Sequence, residues 1–265
     1  MAVNPVQVAE DLHAFAPVAK GVRREDWGEV VLVDQGVPAA LFATASRVRF
    51  GPDPEDSIRR VRGWFAGRGR AAFTWYLGPS STPGDLEERL RAHGAAEDPA
   101  EPEHTAMVLD RPPLEASYRD RVRVRLVETF EDYCLAADIF DVGFGGSFTA
   151  EEVTAMRAQR ADKYVEYAGD ARLRRYLALV DEVPVAAASG VVTDVGVMLL
   201  GGGATLPQAR GRGAYRALVQ ARWDDAISQG CPALVTQASE MSRPILASMG
   251  FVGVGRIVEL LDSTS

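Results

Sequence analysis

Apolar positions recur along this chain in two rhythms, every second residue and every third or fourth, and the two alternate from end to end. In the first part, Glu29 to Val33 and Ala39 to Phe50 read as strands. Pro54 to Gly67 reads as a helix with Ile58, Val61, Trp64 and Phe65 inward. Ala71 to Leu77 is an apolar, aromatic strand. Thr82 is placed to cap a helix that begins at Pro83 and runs to His93, ended by Gly94, and Thr105 to Leu109 is another strand.

The second part repeats that order after a longer opening. Arg121 to Glu128 sets Val122, Val124 and Leu126 against charged neighbours, the mark of a half-buried strand. Phe130 to Phe140 is helical, with Phe130, Tyr133, Cys134, Ala137 and either Ile139 or Phe140 inward. An aromatic connector follows from Asp141 to Phe148. Thr149 caps a second helix, with Glu151 and Glu152 favourably placed in its first turn. Leu173 to Val180 and Pro184 to Val192 predict a hairpin around Asp181-Glu182. An apolar run, Val195 to Leu200, then empties through Gly201-Gly202-Gly203 toward a helix whose inward face is Tyr215, Leu218, Val219, Trp223, Ala226 and Ile227. Gly230 ends that helix, Cys231 to Thr236 reads as a short buried strand, and Ser242 is placed to cap a short helix through Ile245 and Leu246. Phe251 to Leu261 predicts two closing strands around a turn at Gly253–Gly255. The chain is thus mixed α/β.

The segment joining strand and helix, Thr205-Leu206-Pro207-Gln208-Ala209-Arg210-Gly211-Arg212-Gly213-Ala214-Tyr215, has the makings of a pyrophosphate holder. A helix N-terminus leaves amides unpaired and carries about half a positive charge. Gly211 and Gly213 let an anion approach the backbone, and Arg210 and Arg212 can add charge-assisted contacts. Two familiar phosphate loops do not fit. No Lys-Ser/Thr pair follows the glycines, and position 216 is Arg where the dinucleotide fingerprint needs a third Gly.

Gln208-Ala209-Arg210-Gly211-Arg212-Gly213 does match Gln/Arg-x-x-Gly-x-Gly/Ala, and here the chain resembles the GNAT acetyltransferases, whose acetyl-CoA loop has that pattern. Gly250-Phe251 after the last short helix resembles the family too, and the likeness covers roughly residues 120–262. It implies two GNAT-like domains, each a mixed, mostly antiparallel twisted sheet flanked by helices, divided near Arg111-Pro112-Pro113-Leu114-Glu115. Residues 113–265 would be the acetyl-CoA-binding domain. Residues 1–112 would be a degenerate half, because Phe50-Gly51-Pro52-Asp53-Pro54 stands where the phosphate loop should be and offers two prolines and a carboxylate instead. Trp75 to Pro83 also resembles tandem members of the family.

The resemblance implies acetyl transfer from acetyl-CoA, used as a cosubstrate with no metal, to a primary amine. It assigns Ala204, Thr205 and Leu206 to the pantetheine and thioester, Gln208 and Arg210 through Tyr215 to the diphosphate, and Ser242 to the thiol end. A backbone N–H near Ala204 to Leu206 would meet the thioester oxygen. A lysine-like amine, with a pKa of about 10.4, faces a cost of roughly 4.6 kcal/mol to be neutral at pH 7. Glu240, which follows the strand of residues 232–239, is the first candidate base. Asp141 is a candidate amine-binding charge, and Phe144 and Phe148 candidate walls of the acceptor pocket. One departure stands out. The family's usual general-acid tyrosine falls on Leu246, and no tyrosine follows Tyr215. That leaves open a second reading, a non-catalytic acyl-CoA-binding or regulatory module.

Bulk composition narrows the partners. The net charge of −8 and pI near 5.1 argue against nucleic acid and anionic membranes. No apolar run is long enough to span a bilayer, and Met1 to Lys20 lacks the features of a secretory signal. Cys134 and Cys231 show no metal spacing, and the three histidines are scattered, so a reduced cytoplasmic protein without a metal site is expected. A homodimer is compatible with everything above.

Overall fold

A computed structural model describes residues 3–18, 21–37, 39–97, 103–114, 122–144 and 149–264. In chain order its elements are α1 (Pro5–Glu10), α2 (Leu12–Phe15), β1 (Arg23–Asp26), β2 (Val31–Asp34), β3 (Ala43–Ser46), α3 (Glu55–Ala66), β4 (Ala72–Leu77), α4 (Leu86–Ala92), β5 (Ala96–Glu97) and β6 (Glu103–Leu109). They continue with β7 (Val122–Leu126), α5 (Phe130–Gly143), α6 (Ala150–Ala158), α7 (Arg160–Ala168), β8 (Leu173–Val180), β9 (Val183–Val192), β10 (Met198–Thr205), α8 (Ala214–Ser228), β11 (Leu234–Ala238), α9 (Arg243–Ser248) and β12 (Val252–Ser263). The expected class holds: mixed α/β, with a mostly antiparallel sheet covered by helices. Glu115, most of the acidic loop at 98–102, and Phe148 fall outside the described residues.

All the strands join one sheet in the order β1-β2-β3-β4-β12-β6-β11-β10-β9-β8-β7, with β5 set against β12. The two half-sheets are therefore interleaved. The final strand, β12, pairs with β4 of the first half over Val258↔Leu77 to Ser263↔Ala72. β6, from before Pro112, pairs with β11 of the second half over Leu234↔Leu109 to Ala238↔Thr105. Two strand pairs are parallel, β3 with β4 and β10 with β11, one in each half.

Alternation along β6 and β12 sorts the layers. Met107 and Leu109 pack with Val219, Trp223 and Leu246 of α8 and α9, whereas Ala106, Val108 and Ile257 pack with Val8 and Ala9 of α1. Val258 and Leu260 pack with Ile58, Val61, Phe65 and Leu86, so α3 and α4 share the face of α8 and α9. Helices α1, α2, α5 and α7 lie on the other.

Several local expectations are corrected. The run from Val252 to Ser263 is one strand, not two. Gly253 and Gly255 mark a register shift against Met107 and Ala106, and such a bulge continues the pairing that a turn would end. The helix expected from Pro83 begins at Leu86, because the Thr82 hydroxyl donates to Phe50 O (2.8 Å) instead of capping. Only Ala43–Ser46 of the expected strand 39–50 is sheet, and a short 3-10 turn precedes it. Ile227 and Phe130 are exposed.

In the first half, the loop after β3 and the segment after β4 are tied together. Thr82 N donates to Val48 O (3.2 Å), and Phe50 N donates to Thr82 O (3.1 Å). The first turn of α3 already holds two carboxylates, Glu55 and Asp56.

Where α1 ends, Asp11 is buried and accepts from Arg49 Nη2 at 2.8 Å. Burial outweighs that partner and pushes its pKa up to about 6 from 3.8. The folded chain therefore holds a proton at Asp11 between those values that the unfolded chain has lost. The associated stability is full below about pH 4 and is lost as pH rises through 6. The Asp11→Asn variant is expected to gain stability relative to the parent by about 2 kcal/mol more at pH 7.5 than at pH 4.5. Urea unfolding at the two pH values checks this, and a constant difference would contradict it.

Candidate active site

Strands β10 and β11 pair at Met198↔Leu234 and Leu199↔Val235 and then part. The Thr236 hydroxyl still reaches Leu200 O (3.3 Å), but β10 runs on to Thr205 and β11 to Ala238 with no further pairing between them. The break coincides with the glycines. Against β9, β10 shifts register between Leu200 and Gly203, so Gly201 and Gly202 form a bulge. Crowding explains the residue type. A Cβ on Gly201 would sit 2.3 Å from Ser189 Oγ, one on Gly202 3.3 Å from the Phe144 ring, and one on Gly203 2.9 Å from the Tyr215 ring.

Beyond the bulge, the pairing decides which backbone groups face the gap. Leu206 N donates to Val185 O across β9 (2.9 Å), so its amide is taken and is not the free donor expected there. Alternation then turns the amides and carbonyls of Gly203 and Thr205 to the open edge. A long contact from Arg210 Nε to Thr205 O (3.5 Å) agrees with that orientation. Ala204 is buried under α5, where a Cβ on Gly143 would meet its own Cβ at 2.4 Å.

The loop at the wide end of the gap makes one 3-10 turn (Pro207–Ala209) and then two left-handed glycines, Gly211 at φ 75° and Gly213 at φ 89°. Among the described residues, no acceptor in the protein meets the amides of residues 211–216. Gln208, Arg210 and Arg212 are exposed around them. Arg212 meets Asp181 at 2.9 Å in a half-exposed pair of the kind that contributes little and exchanges easily. Arg216 Nη2 donates to Ser248 Oγ (2.7 Å), which ties α8 to α9. Helix α8 is aimed by Asp225, which accepts from Arg174 Nε (2.7 Å) and Nη2 (2.9 Å) on β8 and from the Tyr176 hydroxyl. Arg222 is buried on the same helix and donates to Ser189 O (3.2 Å), while its Nη2 has no partner.

The remaining candidates divide. Glu240 is exposed on the turn after β11. Ser242 sits at the α9 N-cap position but makes no capping bond, and its hydroxyl instead meets Ser239 (3.4 Å). Leu246 is 1% exposed and packs with Val219, Trp223 and Phe251, so that position sends nothing into the gap. Asp141 accepts from Arg157 Nε (3.0 Å) and Arg160 Nη2 (2.8 Å) and is already neutralised. Phe144 does stand at the bulge, stacked with Phe140 at 6.0 Å. Two residues that the periodicity treated as ordinary strand positions also reach this region. Arg175 and Ser189 lie directly opposite each other on β8 and β9, on the α5 face.

Residues 135–251 match the acetyltransferase (GNAT) family. The chain carries a GNAT domain. Its gap, bulge and loop all fall within the matched span, and the family is one of transferases that use acetyl-CoA. Solved structures of the same fold extend over nearly the whole chain. A GCN5-related N-acetyltransferase from Kribbella flavida is 17% identical, with 97% of this chain and 95% of that one covered and a TM-score of 0.69. A tandem GNAT protein from the clavulanic acid biosynthesis pathway is 15% identical, with 99% and 88% covered and a TM-score of 0.61. A GCN5-related N-acetyltransferase from Sphaerobacter thermophilus is 18% identical, with 89% and 81% covered and a TM-score of 0.59. These are likenesses of fold. None of the curated proteins matches the chain.

Proposed function

We propose that the protein is an acetyl-CoA-dependent N-acetyltransferase acting directly on a primary amine of a small-molecule acceptor, with residues 113–265 forming the acetyl-CoA site and residues 1–112 a half without one. The observation that carries this is the parting of β10 from β11 at a gap whose wide end holds the unpartnered amides of 211–216. An extended thiol-bearing arm fits such a gap, and a diphosphate fits such a loop. Acetyl-CoA would bring an activated thioester. Gly203 and Thr205 turn backbone groups to the pantetheine edge, and the Thr205 amide is placed to donate to the thioester carbonyl. Ala204 shapes the floor, and Leu206 turns the chain into Gln208 and the loop. Arg210, Gly211, Arg212, Gly213, Ala214 and Tyr215 surround the phosphates, and Ser242 lies toward the thiol. Phe144 walls the acceptor side. A cytoplasmic location belongs to the same reading, and among the described residues no helix is long and apolar enough to cross a membrane.

Titration calorimetry with CoA, followed by thiol release from acetyl-CoA across a panel of amines, tests the proposal. Heat together with amine-dependent release supports it, and no heat ends it. Heat without release favours the second reading, a non-catalytic acyl-CoA-binding module, with which the buried Leu246 agrees because that position offers no hydroxyl to the thiolate. A thiol with pKa near 8.5 leaves tolerably without such a donor, which keeps catalysis the first reading.

Glu240 remains the proposed base for the amine. Glu240→Gln is expected to lower kcat/KM by about a hundredfold near pH 7, with the loss shrinking at high pH where the amine loses its own proton. Parent-like rates across the pH range would remove Glu240 from the mechanism.

A further inference from the structure

The acceptor side of the bulge carries a cation that its surroundings do not neutralise. The Arg175 guanidinium carbon lies 4.2 Å from the Tyr133 ring centroid, 5.4 Å from Phe140 and 5.8 Å from Tyr167. Its Nε is buried with no hydrogen-bond partner, and among the described residues no carboxylate pairs with the guanidinium. Its neighbours in sequence differ. Arg172 is held by Asp170 and Asp194, and Arg174 by Asp225. The acidic side chain nearest in sequence on α5, Asp141, is itself held by Arg157 and Arg160.

The position of this cation relative to the gap is fixed by pairing and contact. Arg175 sits opposite Ser189, and Ser189 Oγ crowds the Gly201 position. Phe140, beside the guanidinium, has its ring edge 3.9 Å from where a Cβ on Gly202 would be. Two strand spacings, on the order of 10 Å, separate the β8 and β10 backbones. The Phe140 ring, shared between the guanidinium and the Gly202 position, ties the fork to the bulge on the face opposite α8.

We propose that Arg175, with the Ser189 hydroxyl beside it, binds a carboxylate of the acceptor, so that the acceptor is an amino acid or another amine with a nearby carboxylate. This rests on the acetyltransferase reading above. A guanidinium fork matches a carboxylate in two parallel hydrogen bonds, and the aromatic walls exclude the water that would otherwise weaken them. The rings at 4.2–5.8 Å hold the cation by their faces while leaving its hydrogen-bonding edge for a ligand. The charge at this end of the site is positive, the reverse of what an Asp141-centred amine site would give.

The test uses the full-length protein and two matched series, the N-acetyl derivatives of glycine, leucine and phenylalanine and the carboxamides of the same compounds. Binding is measured by calorimetry with and without saturating CoA. The parent is expected to bind the acids at least tenfold more tightly than the amides. In Arg175→Met that preference is expected to fall to about one, with amide binding unchanged. Arg175→Lys, which keeps the charge and loses the fork, is expected to lie between them and guards against a misfolded Met variant. A parent that is indifferent to the carboxylate or binds neither series overturns the proposal, as does a preference that survives in both variants. Failure of CoA itself to bind would count against the acetyltransferase reading, while the acid-to-amide ratio of the CoA-free protein would still decide on Arg175.

Discussion

Replacing Gly213 with valine is expected to weaken CoA binding by about a thousandfold and to abolish the thermal stabilisation that CoA confers, with the fold intact. Gly213 holds φ at 89° immediately before α8, a conformation that costs a β-branched L-residue about 1–2 kcal/mol or more. A valine there moves toward negative φ and swings the amides of residues 211–214 away from their common focus. Each charge-assisted bond to phosphate is worth roughly 1.5–3 kcal/mol, so losing even two outweighs the strain. Two such bonds amount to about 3–6 kcal/mol, or roughly two to four powers of ten. Calorimetry and melting with CoA read the effect directly. The unliganded melting temperature should move by only a few degrees, because residues 210–212 of the loop are exposed and carry no core packing. CoA affinity equal to that of the parent would remove the loop from the binding site and the proposed function with it.

How much of this could be read from the sequence depended on how local each cause was. The loop from Gln208 to Gly213 was legible because its requirements lie within six consecutive residues. So was the start of α6, where Thr149 caps the helix and accepts from the Glu152 amide. Helices α1 and α2 are too short to complete a repeating pattern, and their place is fixed by tertiary contacts such as Gln237 Nε2 donating to Ala9 O (3.1 Å) and Glu10 O (2.9 Å). Gly253 and Gly255 carry the same residue signal in a bulge as in a turn, and only the partner strand distinguishes the two. Asp141 looked like a free anion because its partners lie 16 and 19 residues away on other helices. Arg175 looked like one more charged strand residue. Its distinction is the absence of an acid beside it, which no spacing along the chain reveals. The interleaving of β6 and β12 has no local signature either, since each reads as an ordinary closing strand of its own half.

That interleaving leads to the second large effect. Asp262, near the end of β12, is 1% exposed. It accepts from Arg62 Nε (3.0 Å) and Nη2 (2.8 Å) on α3 and from Trp75 Nε1 (2.8 Å) on β4. Asp262→Ala leaves a largely buried guanidinium with no carboxylate and only His93 O (2.8 Å) as acceptor, and the Trp75 indole N–H without its partner, a loss of about 3–5 kcal/mol. The melting temperature is expected to fall on the order of 10 °C for a chain of this size. The consequence should not stop at the first half. β12 holds β6, and β6 lines β11 along all five of its residues, so the β11 wall of the gap between β10 and β11 is anchored through strands of the other half. Unfolding of Asp262→Ala should therefore remain one transition, displaced equally when followed by tryptophan fluorescence, which is weighted to the first half by Trp27, Trp64 and Trp75, and by the loss of CoA-dependent stabilisation, which reports on the second. Two separated transitions, with only the tryptophan-rich one displaced, would mean that the halves fold independently and that the shared strands do not couple them.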